Sequence, residues 1–293
     1  MLRGMDHLLK FIPLDNDVFV KVTRTLITRC ITEPKFGYAL CDLFSEQAQT
    51  GHRLRELFAG EVDLLKQAYF AASEAEDHED FDGHFFNELL DLDPKFGHQW
   101  VAQLYQRVDR PSRRDDSRDY SFIWRREDFI RVMEQIADAI CTYGKNRLIY
   151  DSYLRNFFIL NNETPDIKVL HSRQDAFLDD IIKRRSGEEN LMTILFEVIS
   201  SFSAARRKAA FETFVRSNTN YEIFERLPME TNFEAYAVGD YTRLQGRLEF
   251  FESLMPIFNT VELLRHRQHV DRLIQRTRTS IEVEKRRDFM RDR

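Results

Sequence analysis

Apolar side chains recur every three to four residues along most of the chain, and this periodicity restricts it to packed helices. Val18, Val22 and Leu26 stand four apart, with Phe19, Ile27, Cys30 and Ile31 widening the stripe, as in a helix with one buried face. Asp15 or Asn16 is placed to cap that helix. The spacing returns in Phe36, Leu40, Leu43, Phe44 and Ala48, and again in Leu54, Leu57, Phe58, Val62, Leu65 and Tyr69. It recurs in Phe129, Val132, Met133, Ile136 and Ile140, and in Leu191, Ile194, Leu195, Val198 and Phe202. No run of two-residue alternation lies between turn residues, so nothing reads as a strand. The chain has 10 glycines and 7 prolines in 293 residues, about half the usual share. Sheet proteins use both freely at turns. The expectation is an all-α fold with over ~65% helix and no sheet.

Charge and thiol content remove several classes. No stretch approaches the ~20 apolar residues of a membrane-spanning helix. The N-terminal MLRGMDHLLKFIPLDND meets Pro13 and Asp15 where a signal peptide would continue its apolar core. Cys30, Cys41 and Cys141 each sit in an apolar helical pattern, which reads as reduced core thiols of a cytoplasmic protein. A net charge of −6 exerts no global pull toward nucleic acid. The distribution is uneven: nine acids and no Lys or Arg lie between Lys66 and Lys95, whereas Arg265 to Arg293 carries ten Lys/Arg against five acids.

An internal echo suggests repetition. Glu33-Pro34-Lys35-Phe36-Gly37 and Asp93-Pro94-Lys95-Phe96-Gly97 are 60 residues apart, each an acid and an N1 proline opening an apolar helix. RELFAGEVDLLKQAYF (55–70) loosely resembles REDFIRVMEQIADAI (126–140). Degenerate helix pairs of TPR or HEAT type predict an α-solenoid-like stack of helical hairpins. The expected division is a helical-repeat array over 1–240 and a long-helix cap over 241–293. Pro256 lacks the N–H a helix entering at Gly246 would need. It predicts a kink or break there, with a new helix from about Ile257.

The groupings that resemble chemistry are incomplete. Asp77-His78-Glu79-Asp80-Phe81-Asp82-Gly83-His84 fails as a calcium loop, because position one would be His78 and position twelve Leu89. His266 and His269 share a helical face, but no Cys or acid at tight spacing completes a zinc set, and arginines surround them. Tyr143-Gly144-Lys145 is no phosphate loop, since Ala139 stands where its first glycine is required. No catalytic site, metal or cofactor is expected. The most distinctive segment is RPSRRDDSRDYSFIWRREDF (110–129), whose arginines and aromatics have the composition of interaction hot spots. Arg113, Arg114, Arg118, Tyr120 and Arg125 are the candidate partner-binding residues, with Phe122, Ile123 and Trp124 anchoring the segment. The competing reading makes the aromatics core plugs and the charges a local ion-pair network.

Asp115-Asp116-Ser117-Arg118-Asp119-Tyr120-Ser121-Phe122-Ile123-Trp124 resembles a segment in the C-terminal helical region of bacterial STAND NTPases, multidomain ATPases that include antiviral sensors. LRNFFILNNE (154–163), ILFEVISSFSAARRKAAFETFVRSN (194–218) and GRLEFFESLMPIFNTVELLRHRQHVDRLIQRTRTSIEVEKRRDFM (246–290) are similar to that region, so the likeness spans much of residues 84–290. The resemblance implies a helical-repeat region that senses a target and passes the event to an upstream ATPase. The chain departs from that architecture in having no Walker motif, as an excised piece or a shortened relative would. The expected function is non-enzymatic recognition of a protein, such as a phage protein or an upstream ATPase domain, in the cytoplasm. Two alternatives stay open: a nucleic-acid-binding helical scaffold and an enzyme whose site assembles only in three dimensions.

Overall fold

The computed structural model describes residues 17–49, 54–74, 80, 83–106, 120–143, 153–160, 164–229 and 240–291. Of these, 84% are helical and none is in a strand. The α-helices are α1 (Asp17–Thr32), α2 (Gly37–Gln49), α3 (Leu54–Leu57), α4 (Val62–Glu74), α5 (His84–Leu92), α6 (Phe96–Gln106), α7 (Ser121–Arg125) and α8 (Phe129–Tyr143). They continue with α9 (Tyr153–Asn156), α10 (Ile167–Arg185), α11 (Glu189–Ser200), α12 (Ala204–Ser217), α13 (Tyr221–Phe224), α14 (Asp240–Leu254) and α15 (Leu264–Arg291). No helix among the described residues is long and apolar enough to cross a membrane. The chain forms two compact units, Met1–Asn146 with Asn156–Ile167, and Arg147–Arg155 with Lys168–Arg293.

In the first unit, α1 buries Phe19, Thr23, Leu26, Ile27 and Cys30 along one face and packs against α4. Pro34 opens a 3₁₀ turn, Pro34–Phe36, that leads into α2. At Gly37 a side chain would place Cβ 2.6 Å from Ala72 Cβ and 2.8 Å from its Cα, so the start of α2 meets α4 at glycine distance. The second echo starts a helix by its acid instead: Asp93 accepts from the Lys95 N–H at 2.9 Å, and from Lys66 and Gln99 at 3.0 Å each. Its Gly97 has ordinary neighbours at 3.5 Å or more. The two copies therefore both precede a helix but open it differently, and the close approach is made at Gly37.

Two acids of the acidic stretch are structural. Asp80, 4% exposed, accepts from the Phe85 and Phe86 N–H groups at 3.3 and 3.1 Å, occupying the free donors that open α5. Glu88 accepts from the Arg55 N–H at 2.7 Å. Of the three cysteines, Cys30 and Cys41 are buried and Cys141 is half-buried. Burial raises the Cys30 thiol to about 12.

In the second unit α14 and α15 pack on each other, α14 on α12, and α15 on α13. Phe250 meets Phe211 at 6.2 Å and Phe258 meets Phe224 at 5.4 Å. The helix does break at Pro256. α14 stops at Leu254, two 3₁₀ turns span Met255–Ile257 and Val261–Leu263, and α15 begins at Leu264, later than the expected Ile257. Arg278 pairs with Glu252 at 2.8 Å and Lys285 lies over the Tyr241 ring, so α14 and α15 run antiparallel. α15 buries a narrow stripe of His266, Val270, Ile274, Thr277 and Ile281, the three-and-four spacing of a coiled-coil seam, and leaves Arg265, Arg267, Arg272, Arg276, Arg278 and Arg286 on the outside.

Candidate functional site

Of the five residues proposed from sequence as a binding surface, Arg113, Arg114 and Arg118 lie outside the described residues. Tyr120 does not lie on a surface. It is fully buried, with its ring 4.3 Å from Phe157, because the five-residue α7 directs Phe122, Ile123 and Trp124 into the same core. Arg125 is 46% exposed, but its guanidinium makes two 3.0 Å bonds to Asp166 and a third to Ser121 Oγ. Next to it, Arg126 binds Asp91 at 2.6 Å, Asp128 at 2.8 Å and Asn87 at 3.2 Å. Arg55 also pairs with Asp91, and Arg131 with Asp128. Residues 120–131 therefore form a clamp of core aromatics with an ion-pair network over it.

In the second unit, α12 and the turns after Pro256 enclose a cleft of about 420 Å³ lined by Lys208, Glu212, Arg216, Thr219 and Glu262 among others. Arg216 pairs with Glu212 at 3.8 Å. Hydrogen bonds from its own backbone N–H and from Thr260 hold the Glu262 carboxyl below its ordinary pKa. The named lining residues include no nucleophile–base pair. Among the described residues no three His, Cys, Asp or Glu side chains are placed to hold a metal ion.

A different arrangement stands where α15 passes α13. Arg265, His269, Arg272 and Arg276 follow one another at four, three and four residues, hence on one face of α15, beside Tyr221 of α13. The Arg265 guanidinium stacks over the Tyr221 ring at 4.2 Å, Arg272 donates to the Tyr221 hydroxyl at 3.3 Å, and His269 Nδ1 lies 3.3 Å from the same oxygen. Several arginines elsewhere are neutralised: Arg24 by Glu61, Arg126 by Asp91 and Asp128, Arg185 by Glu188, Arg206 by Asp175, Arg278 by Glu252. Among the described residues, Arg265, Arg272 and Arg276 have no carboxylate at ion-pair distance. Glu225 is the acid felt at Tyr221 and His269. Burial raises the phenol pKa of Tyr221, Glu225 adding to the rise and Arg272 opposing it. Burial also lowers that of His269, with Arg272 and Arg276 adding to it and Glu225 opposing.

The second histidine has the opposite role. His266 is fully buried against Phe224 at 4.5 Å, Tyr221 at 5.6 Å and Phe258 at 6.2 Å. Neither ring nitrogen has a hydrogen-bond partner. Burial, with Arg265 and His269 adding charge nearby, lowers its pKa to about 4. A histidine depressed in the folded state contributes stability that is complete above its unfolded value near 6.5 and is lost as pH falls toward 4. His266→Phe is expected to remove about 2 kcal/mol of the stability difference between pH 7 and pH 4.5. Denaturant titration of both proteins at the two pH values measures it, and an unchanged difference would show that His266 is not the group responsible.

From sequence, the i, i+3 histidines suggested only a failed zinc set. The Arg–His–Arg–Arg face was legible as a spacing, but nothing showed that its acids face elsewhere or that Tyr221, 44 residues before Arg265, comes to meet it. Comparison with known proteins finds no matching family, no matching characterised sequence and no matching solved structure.

Proposed function

We propose that this chain is a non-enzymatic recognition module, an α-solenoid-like helical array that binds a protein partner through the arginine face of α15. The observation that carries the reading is that Arg265 and Arg272 meet Tyr221, with Arg276 one turn on, and none of the three has a carboxylate at ion-pair distance among the described residues, whereas Arg24, Arg126 and Arg206 are paired. Arg beside Tyr is the composition of interaction hot spots. Uncompensated like charge gains most when a partner of opposite charge covers it. The likeness of residues 84–290 to the helical region of STAND NTPases supports a target-sensing role in a bacterial, cytoplasmic defence ATPase. The partner would then be a phage protein or the ATPase domain itself, and nucleotide chemistry would lie outside this chain.

The test is capture of partners from bacterial cells, with and without phage infection, by the wild type and by Arg272→Glu/Arg276→Glu. The double variant is expected to weaken binding of a captured protein by about 1–3 kcal/mol and to change stability by no more than ~0.5 kcal/mol. Unchanged capture at unchanged melting temperature would remove α15 from the binding surface. A nucleic-acid scaffold is the second reading, favoured by the same arginines. Against it, Asp271 and Glu282 are exposed on α15 as well.

A further inference from the structure

We propose that Arg265, His269, Arg272 and Arg276, together with Tyr221, form a binding site for a phosphoryl dianion. The proposal rests on the recognition reading and names the chemical group that the partner presents.

The physical case begins with what distinguishes this face from an ordinary solvated row of charges. A solvated arginine wanders, and binding must first order it. Here the Arg265 guanidinium lies over the Tyr221 ring at 4.2 Å, and Arg272 donates to the hydroxyl of the same side chain at 3.3 Å. Two guanidinium groups thus meet one phenol, one at its face and one at its oxygen. His269, half-buried and 3.3 Å from that hydroxyl through Nδ1, sits between Arg265 and Arg272 in the α15 register, and Arg276 follows one turn on. Stacking on an aromatic face leaves a guanidinium's charge unneutralised and its edge N–H groups available. Three cations share the site with the single carboxylate of Glu225. Glu225 offsets part of their mutual repulsion, and a bound anion relieves the rest.

The class of anion follows from the donors. One carboxylate is satisfied by one guanidinium fork. A tetrahedral phosphoryl group has three terminal oxygens and close to two charges at neutral pH, so it can accept from two guanidiniums and an imidazole N–H at once. With Nδ1 toward the Tyr221 hydroxyl, Nε2 is the other ring nitrogen of His269, and it donates to an anion in the tautomer in which Nδ1 accepts from the phenol. Two sources supply this chemistry, free phosphate and a phosphorylated side chain of a protein partner.

The experiment uses the full chain with ¹³C-labelled histidine at pH 7 and constant ionic strength. It follows the His269 ring resonance, assigned with His269→Gln, during titration with inorganic phosphate. Saturable movement is expected, at least tenfold weaker in Arg272→Gln and in Arg265→Gln, with melting temperatures unchanged. Acetate at the same ionic strength should not reproduce it. A phosphoserine tripeptide that competes while its serine version does not assigns the site to a modified partner, whereas competition by phosphate alone assigns it to the free ion. No saturation, equal response to acetate, or variants that bind phosphate like the wild type would each overturn the proposal. So would a deoxythymidine 12-mer that binds this face when phosphate does not. If phosphate binding fails while Arg272→Glu/Arg276→Glu still loses its captured protein, the recognition reading survives and the phosphoryl site falls. Phosphate binding with unaltered capture leaves the site and removes the recognition reading.

Discussion

Trp124→Ala is expected to destabilise the first unit by about 3–5 kcal/mol, the loss typical of a large buried aromatic. The indole is fully buried, packs 4.9 Å from Phe158 and 6.0 Å from Phe129, and donates through Nε1 to the Phe157 carbonyl at 2.6 Å. It ties the short α7 to the segment after α9, an attachment that helix propensity does not supply for five residues. Trp124→Phe separates packing from hydrogen bonding: it keeps most of the ring area and removes the bond, so about 1 kcal/mol is expected to go. Chemical denaturation of the three proteins measures both differences. A loss below about 1 kcal/mol for the alanine variant would mean that the clamp over residues 120–131 does not hold the unit together.

The second large effect is expected at Gly83, which precedes α5 with φ +65°. A side chain there meets two obstacles. The left-handed backbone costs a non-glycine residue roughly 1–2 kcal/mol, and the added Cβ would overlap the Phe122 ring, which sits in the aromatic cluster with Phe86. Overpacking of a core adds about 1–3 kcal/mol, so Gly83→Ala should lose about 2–5 kcal/mol in total. Gly60 is the control. Nothing lies within 4 Å of a Cβ built there, and Gly60→Ala should be neutral or stabilising by up to ~1 kcal/mol. Thermal melting of the pair decides the matter: equal melting temperatures would mean that Phe122 moves aside and the turn relaxes.

Local features were readable wherever the physics is local. Pro256 predicted a helix break because the missing N–H acts on its own turn, and α14 ends two residues before it. The new helix starts at Leu264, because a second 3₁₀ turn, Val261–Leu263, precedes it. Arg55 and Arg126, which open the similar segments 55–70 and 126–140, both pair with Asp91. The 110–129 segment shows the opposite. Tyr120 and Arg125 suit a hot spot by composition, yet Tyr120 is core and Arg125 is bound to Asp166. Composition does not record which side of a short helix faces a neighbour 30 or 40 residues away.

The sequence alone determined the all-helical class, the helix stripes, the break at Pro256 and the use of acids and prolines at helix starts, because each follows from periodicity and from donors within one turn. Tertiary structure alone decided which charges are answered. Asp166 reaches Arg125 across 41 residues, and Glu61 reaches Arg24 across 37. Arg265 and Arg272 meet the ring and hydroxyl of Tyr221, where Glu225 is the acid felt. A charge acquires its role from what stands within a few ångströms of it, and that distance is set by how helices pack rather than by how residues follow one another.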